Sequence, residues 1–208
     1  MRFSIIIPAY NAADRIRKAL DSVAMQTFKD YELIVICDSC LDKTQEIANS
    51  YGAITEKHNF HNDGLSRSRG LDIAKGEYVL FMDDDDWWMR EDMLQLLDAK
   101  IDSCNQPDVI CFSFHFQHIG YADPHGLNGE RWIATWNKCW KRSAVGDTRF
   151  PNVYSCSDRY FHDEMMKKDL TIVDYPECFY YYNYLREGSI SQQQGNTIEG
   201  TKKVLHMI

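Results

Sequence analysis

Four consecutive aspartates, Asp83, Asp84, Asp85 and Asp86, directly follow the apolar run Tyr78-Val79-Leu80-Phe81-Met82. Carboxylates packed this closely repel one another: two unit charges 4 Å apart cost about 4 kcal/mol at an effective dielectric of 20. A divalent cation relieves that repulsion, and carboxylates together with phosphate oxygens are the usual ligands of Mg²⁺ or Mn²⁺. The spacing Asp83-x-Asp85, with Asp86 adjacent, can aim two side chains to one side of a turn. The run equally suits the solvated approach to a helix over Trp87 to Leu97, because aspartate is favourable before a helix N-terminus. The residues alone leave these two readings level.

Other polar groups are candidates of the same kind. Asp38 and Asp42 can organise a turn or cap a helix, and Tyr10 can be a packed ring. Arg67 and Arg69 can approach a diphosphate, since a guanidinium pairs well with phosphate oxygens, or can be surface charges of a helix. Cys37-x-x-Cys40 has no second Cys or His pair at ligand spacing, so two ordinary buried thiols outweigh a redox or half-zinc site. His58 with His61, and His115 with His118, have spacings a metal site can use, but no motif sets them beside the aspartates.

The elements that must position these groups alternate. Phe3 to Ile7, closed by Pro8, and Leu33 to Ile36 are short continuous apolar runs, as expected of strands buried on both faces. Tyr78 to Met82 is a third. Between them, Ala13 to Met25 places Ile16, Leu20 and Val23 at helical spacing, Lys43 to Tyr51 ends at Gly52, and Leu65 to Ala74 ends at Gly76. Repeated strand, helix, strand predicts an α/β fold: a mostly parallel central sheet with helices on both faces and its ligand site beyond the carboxyl ends of the strands. Pro8 to Asn11, Asp38 to Asp42 and Asp83 to Asp86 then share one crevice. After a helix over Glu91 to Ile101, Val109 to His118 alternates like a half-exposed strand, and the chain becomes rich in Trp and Tyr. A soft boundary near Pro107 divides residues 1–106 from a smaller region, 107–208.

The bulk properties narrow the partners. A chain of 208 residues supports one substantial core. Its net charge of -8 disfavours nucleic acid, which is held by clustered Lys and Arg. No apolar stretch approaches the roughly 20 residues that span a bilayer, and the N-terminus is too short for a signal peptide. Seven irregularly spaced cysteines suit reduced thiols. These features predict a cytoplasmic protein.

Ser4-Ile5-Ile6-Ile7-Pro8-Ala9-Tyr10-Asn11, then Ser22-Val23, Gln26-Thr27 and Glu32 to Val35, resemble the opening of family 2 glycosyltransferases. Gly76 through Trp87 resembles that family's strand and its DxD motif, and the segments around Trp136 to Arg142, Arg149-Phe150-Pro151 and Ser157 to Phe161 resemble its acceptor side. The resemblance implies a GT-A (Rossmann-like) fold, whose first half, 1–106, binds a nucleotide-sugar, and whose second, 107–208, carries acceptor and base. It implies that Pro8, Tyr10, Asp38, Arg67, Arg69, Asp83, Asp85 and Arg186 bind the donor, with Tyr10 stacked on the base and Asp38 bonded to it. Asp85 and Asp86 would hold the metal, Asp84 would be a spacer, and Asp158 would deprotonate the acceptor, with Asp163-Glu164 as the alternative base. Three departures stand out. Cys37-Asp38-Ser39-Cys40-Leu41-Asp42 replaces the family's Asp-Asp-Gly-Ser-x-Asp, Ser66-Arg67-Ser68-Arg69-Gly70 stands where the family carries an Ala-Arg-Asn segment, and Ser157 replaces the Glu of its Glu-Asp.

The function so implied is metal-dependent, inverting transfer from a UDP-sugar to a hydroxyl of a glycan or lipid-linked acceptor, in cell-surface polysaccharide synthesis. Membrane contact at the inner face would be peripheral, through a lipid-linked acceptor or a partner. A catalytically inactive nucleotide-sugar-binding module is the alternative. A nucleotidyltransferase fits less well, because Pro8-Ala9-Tyr10-Asn11 is no Gly-rich phosphate loop.

Overall fold

The computed structural model describes residues 1–125, 131–153 and 156–184. Its first part follows the alternation read from the sequence: β1 (Phe3–Ala9), α1 (Ile16–Ala24), β2 (Tyr31–Asp38), α2 (Thr44–Ser50), β3 (Ile54–His58), α3 (Asp63–Ile73) and β4 (Tyr78–Phe81). There follow β5 (Trp87–Trp88), α4 (Met93–Ser103), β6 (Val109–Phe116), β7 (Gly120–Ala122), β8 (Lys138–Lys141), α5 (Arg142–Val145), α6 (Ser157–Met166) and β9 (Ile172–Tyr182). The nine strands among the described residues join one sheet in the order β3-β2-β1-β4-β8-β6-β9-β5, with β7 paired to β6.

The strands β3, β2, β1 and β4 are parallel. Beyond β4 the sheet is mixed: β8 runs antiparallel to β4 and β6, β6 and β9 are parallel, and β5 is antiparallel to β9. The period of two along each strand distributes the core to both faces. Ile5, Ile7, Leu33, Val35 and Leu80 pack with Leu20 and Val23 of α1 and Leu94 and Leu97 of α4, whereas Ile6, Ile34, Ile36 and Phe81 pack with Leu71 of α3 and Phe161 of α6. Helices therefore cover both faces, and the strand ends are left open as a crevice.

Two sequence expectations change. Val109 to Phe116 is not half-exposed: only His115 is partly accessible, because β6 lies in the sheet interior between β8 and β9. Trp87 and Trp88 do not begin a helix but pair with Tyr181 and Tyr180, and the helix starts at Met93. The acidic run thus lies between two strands rather than before a helix. Strand β9 slips register where Phe112 pairs with Tyr175 and Ser113 with Cys178, skipping Pro176, which has no N–H to give the ladder.

Helix α3 owes little to amphipathicity. It buries Gly64, Ser66, Arg67, Ser68, Gly70 and Leu71, so small residues let it sit close to its neighbours. A Cβ on Gly70 would lie 2.4 Å from Ile6 Cγ2, and one on Gly64 2.9 Å from Ser157 Cβ. Its first turn is capped by Asn62, whose side chain accepts the Leu65 N–H at 2.9 Å.

Candidate active site

The crevice lies at the ends of β1, β2 and β4. Past β1, the Tyr10 ring is 57% exposed, available as a stacking surface, and Asn11 turns the chain with φ 43°. The turn is fastened from below by Arg15, which donates to the carbonyls of Tyr10 and Asn11, both at 2.9 Å. The same guanidinium grips Asp84 through both carboxylate oxygens at 2.8 and 3.0 Å, and Asp84 also accepts the Tyr10 N–H at 3.3 Å. Asp84 is therefore no spacer. It joins the end of β4 to the loop after β1.

Past β2, Asp38 is 5% exposed. It accepts the N–H groups of Phe60 at 2.7 Å, His61 at 3.0 Å and Asn62 at 2.7 Å, fixing the loop between β3 and α3. These bonds make Asp38 an organiser of that loop. Ser39, standing where the family has glycine, takes the left-handed φ of 55° that glycine would adopt without strain. Asp42 accepts the Ala13 N–H at 2.9 Å and the Thr44 N–H at 3.0 Å. Cys37 and Cys40 are buried free thiols, Cys40 donating to the Ala9 carbonyl at 3.3 Å.

The four aspartates at the end of β4 divide their work. Asp86 is wholly buried; Tyr180 Oη donates to its Oδ2 at 2.6 Å and the Asn183 N–H to its Oδ1 at 2.7 Å. Burial, then repulsion from Asp83 and Asp85, pushes its carboxyl well above the usual range. Each oxygen of Asp86, expected as a metal ligand together with Asp85, thus accepts one hydrogen bond from the protein. Asp85 lines a cleft of about 660 Å³ together with Arg15, Lys18, Trp87 and Asn183. Tyr180 also accepts the Asp83 N–H at 3.1 Å, a role beyond the cross-strand packing that its sequence context suggests.

Asp83 faces Arg67, whose Nη2 donates to it at 2.6 Å. Burial, with Asp158 and Asp85 nearby, still pushes the Asp83 carboxyl up to about 7. Arg67 is 4% exposed; its Nη1 donates to Asp63 and lies 3.6 Å from Asp158 Oδ1. Asp158 stands in the first turn of α6, and its Oδ2 accepts from the N–H and the hydroxyl of Thr135, each at 3.2 Å. It does not cap its own helix. Its Oδ1 is buried without a hydrogen-bond partner, as is Arg67 Nε. Ser157 donates to Asp63 at 3.2 Å.

The structure thus gathers Asp83, Asp85 and Asp158, and adds Asp63, Thr135 and Tyr180, which sequence reasoning missed. Only the chain's need to neutralise four adjacent acids could have pointed to Arg15 and Tyr180. The two arginines expected at the diphosphate are both engaged by carboxylates: Arg67 donates to Asp63 and Asp83, and Arg69 pairs with Glu56 on β3 at 2.6 and 2.9 Å. The alternative base is set apart, Asp163 being 57% exposed and Glu164 paired with Lys167. Arg186 lies outside the described residues. Among the described residues no three His, Cys, Asp or Glu side chains converge on one metal position. Clustered carboxylates at the crevice wall nevertheless fit a hard divalent cation, which is commonly held by one or two carboxylates plus substrate phosphates.

This α/β sheet, with parallel strands that end in an acidic turn, is the architecture of GT-A glycosyltransferases. The family model for glycosyl transferase family 2 matches residues 4–169, and the chain belongs to that family. It is 26% identical over 222 residues to glycosyltransferase GlyA of Streptococcus pneumoniae, an alignment covering 92% of this chain but 32% of the relative. It is also 26% identical to TuaG of Bacillus subtilis, a glycosyltransferase named for teichuronic acid biosynthesis, over 95% of this chain and 84% of that one. Among solved structures, Staphylococcus aureus TarS 1-349 in complex with UDP-GlcNAc superposes with a TM-score of 0.81 and 25% identity, over 92% of this chain and 61% of that one. The chain spans about a third of GlyA's length. No described helix is long and apolar enough to cross a membrane.

Proposed function

We propose that the chain transfers a sugar from a UDP-sugar to a hydroxyl of a glycan or lipid-linked acceptor, with inversion, in the synthesis of a cell-surface polysaccharide. The observation that carries this reading is the placement of Asp158. Its Oδ2 is pinned by Thr135, and its Oδ1, 3.6 Å from the guanidinium that also holds Asp83, is buried without a hydrogen-bond partner. An orphan buried acceptor is costly unless something fills it, and an incoming hydroxyl does. The UDP-GlcNAc complex of TarS and the polymer for which TuaG is named support the donor and product classes.

In this mechanism Pro8 and Tyr10 form one wall for the base, with the Tyr10 ring stacked on it, and the loop held by Asp38 forms the other. Asp83 holds the sugar side of the donor, and Asp85 would hold Mn²⁺ or Mg²⁺. When bound, the cation offsets charge on the departing diphosphate. Asp158 Oδ1 takes the acceptor hydroxyl's proton as that oxygen bonds to the anomeric carbon. The anomeric carbon's bond to the diphosphate breaks with its electron pair leaving on UDP, and attack from the opposite side inverts the centre.

Turnover of UDP-GlcNAc and UDP-glucose against a panel of glycan and lipid-linked acceptors, with Mn²⁺ or with chelator, tests the reading. Asp158→Asn should lower kcat by about 10²- to 10⁴-fold and leave UDP affinity unchanged. A folded Asp158→Asn protein with wild-type turnover would falsify the assignment of the base.

A further inference from the structure

We infer that Arg67 is a positioning residue that holds the donor-side carboxylate Asp83 and the base Asp158 at a fixed separation, rather than a ligand of the donor diphosphate. The inference rests on the functional reading of Asp158 given above. Arg67 is buried, and its two terminal nitrogens are taken up by Asp63 and Asp83, with Asp158 beside them. One positive charge among three carboxylates leaves the surroundings net negative. A diphosphate would be repelled there, whereas the carboxylates themselves cannot stay together without the guanidinium.

The distances make the arrangement asymmetric. Arg67 Nη2 meets Asp83 Oδ1 at 2.6 Å, a full charge-assisted hydrogen bond. Nη1 is 3.6 Å from Asp158 Oδ1, beyond hydrogen-bonding range. Arg67 therefore attracts Asp158 without occupying the oxygen that must receive a proton. Thr135 fixes the opposite oxygen, so Oδ1 has one orientation. The planar fork is what allows two carboxylates to be set at two different distances; a lysine supplies the charge from a single nitrogen and cannot span them. Ser157, in place of the acid the family has there, leaves Asp63 free to approach Arg67 and donates to it instead.

The test separates charge from geometry. Arg67→Lys should lower kcat at least 30-fold, and UDP with Mn²⁺, which lacks the sugar that Asp83 holds, should bind within threefold of wild type when titrated calorimetrically into Arg67→Met. In an Asp158→Asn background the Arg67→Lys change should cost less than threefold more, because the group through which it acts is already disabled. Loss of more than tenfold in UDP affinity would make Arg67 a donor ligand and overturn the inference. Unchanged turnover in Arg67→Lys, or a penalty of the same size in both backgrounds, would overturn it as well. Melting temperatures verify that each variant folds; should Arg67→Met not fold, the same titration on Arg67→Lys decides. Full turnover in Asp158→Asn alone would instead sink the base assignment.

Discussion

Asp84 and Asp86 occupy adjacent parts of one acidic run, yet each is consumed by a different partner. Arg15 secures Asp84 against the Tyr10 turn. Asp84→Ala should therefore loosen that turn and weaken UDP binding about tenfold, roughly 1.4 kcal/mol, as read by calorimetric titration. Tyr180→Phe removes a hydrogen bond from a fully buried carboxyl and should lower stability by about 1–3 kcal/mol in denaturant unfolding. Glu56 offers a test by pH. The Arg69 hydrogen bond, then that of His58, depresses its carboxyl to about 2 from an ordinary 4.5. A folded value below the unfolded one means that the pair's stabilisation is complete above pH 4.5 and is lost as pH falls toward 2. Arg69→Ala should move the Glu56 titration upward by NMR, and an unmoved midpoint would contradict the pairing. The sequence shows that these acids exist and lie near one another. It does not show which would face a ligand, because Arg15, Tyr180 and Asn183 reach them only through the tertiary fold.

At the level of elements, α3 carries the site. The periodicity of Ile16, Leu20 and Val23 made α1 legible, and the apolar runs made β1, β2 and β4 legible. Helix α3 was placed by its stop at Gly76, but its purpose was hidden, since polar and small residues on a buried face leave no apolar stripe. Gly70→Ala forces a Cβ into Ile6 and should cost about 1–3 kcal/mol of stability. Gly64→Ala presses instead on Ser157 and Phe150, pushing the start of α6 and so Asp158. Its kcat should fall by more than its loss of stability explains, measured by turnover and thermal unfolding together. Strand β3, with a mixed pattern of Ile54, Glu56 and Lys57 at a sheet edge, gave no signal because an edge strand need not be apolar throughout.

Across the whole molecule, the chain on both sides of Pro107 hydrogen-bonds into one sheet. Strand β8 lies antiparallel to β4 on one flank and to β6 on the other. Native-state hydrogen exchange should therefore find the slowest amides of β1, β4, β8 and β6 released by a single common opening. Two separate classes, divided at residue 107, would show that the halves open independently.

That continuous sheet has a consequence for selectivity. On the proposed function, the nucleotide wall and the acidic turn follow β1, β2 and β4, hydrogen-bonded neighbours in one sheet, and donors are then discriminated by how each fits the groove those strands preset. A mismatched nucleotide should appear as weaker equilibrium binding, with little change in the rate of any later step.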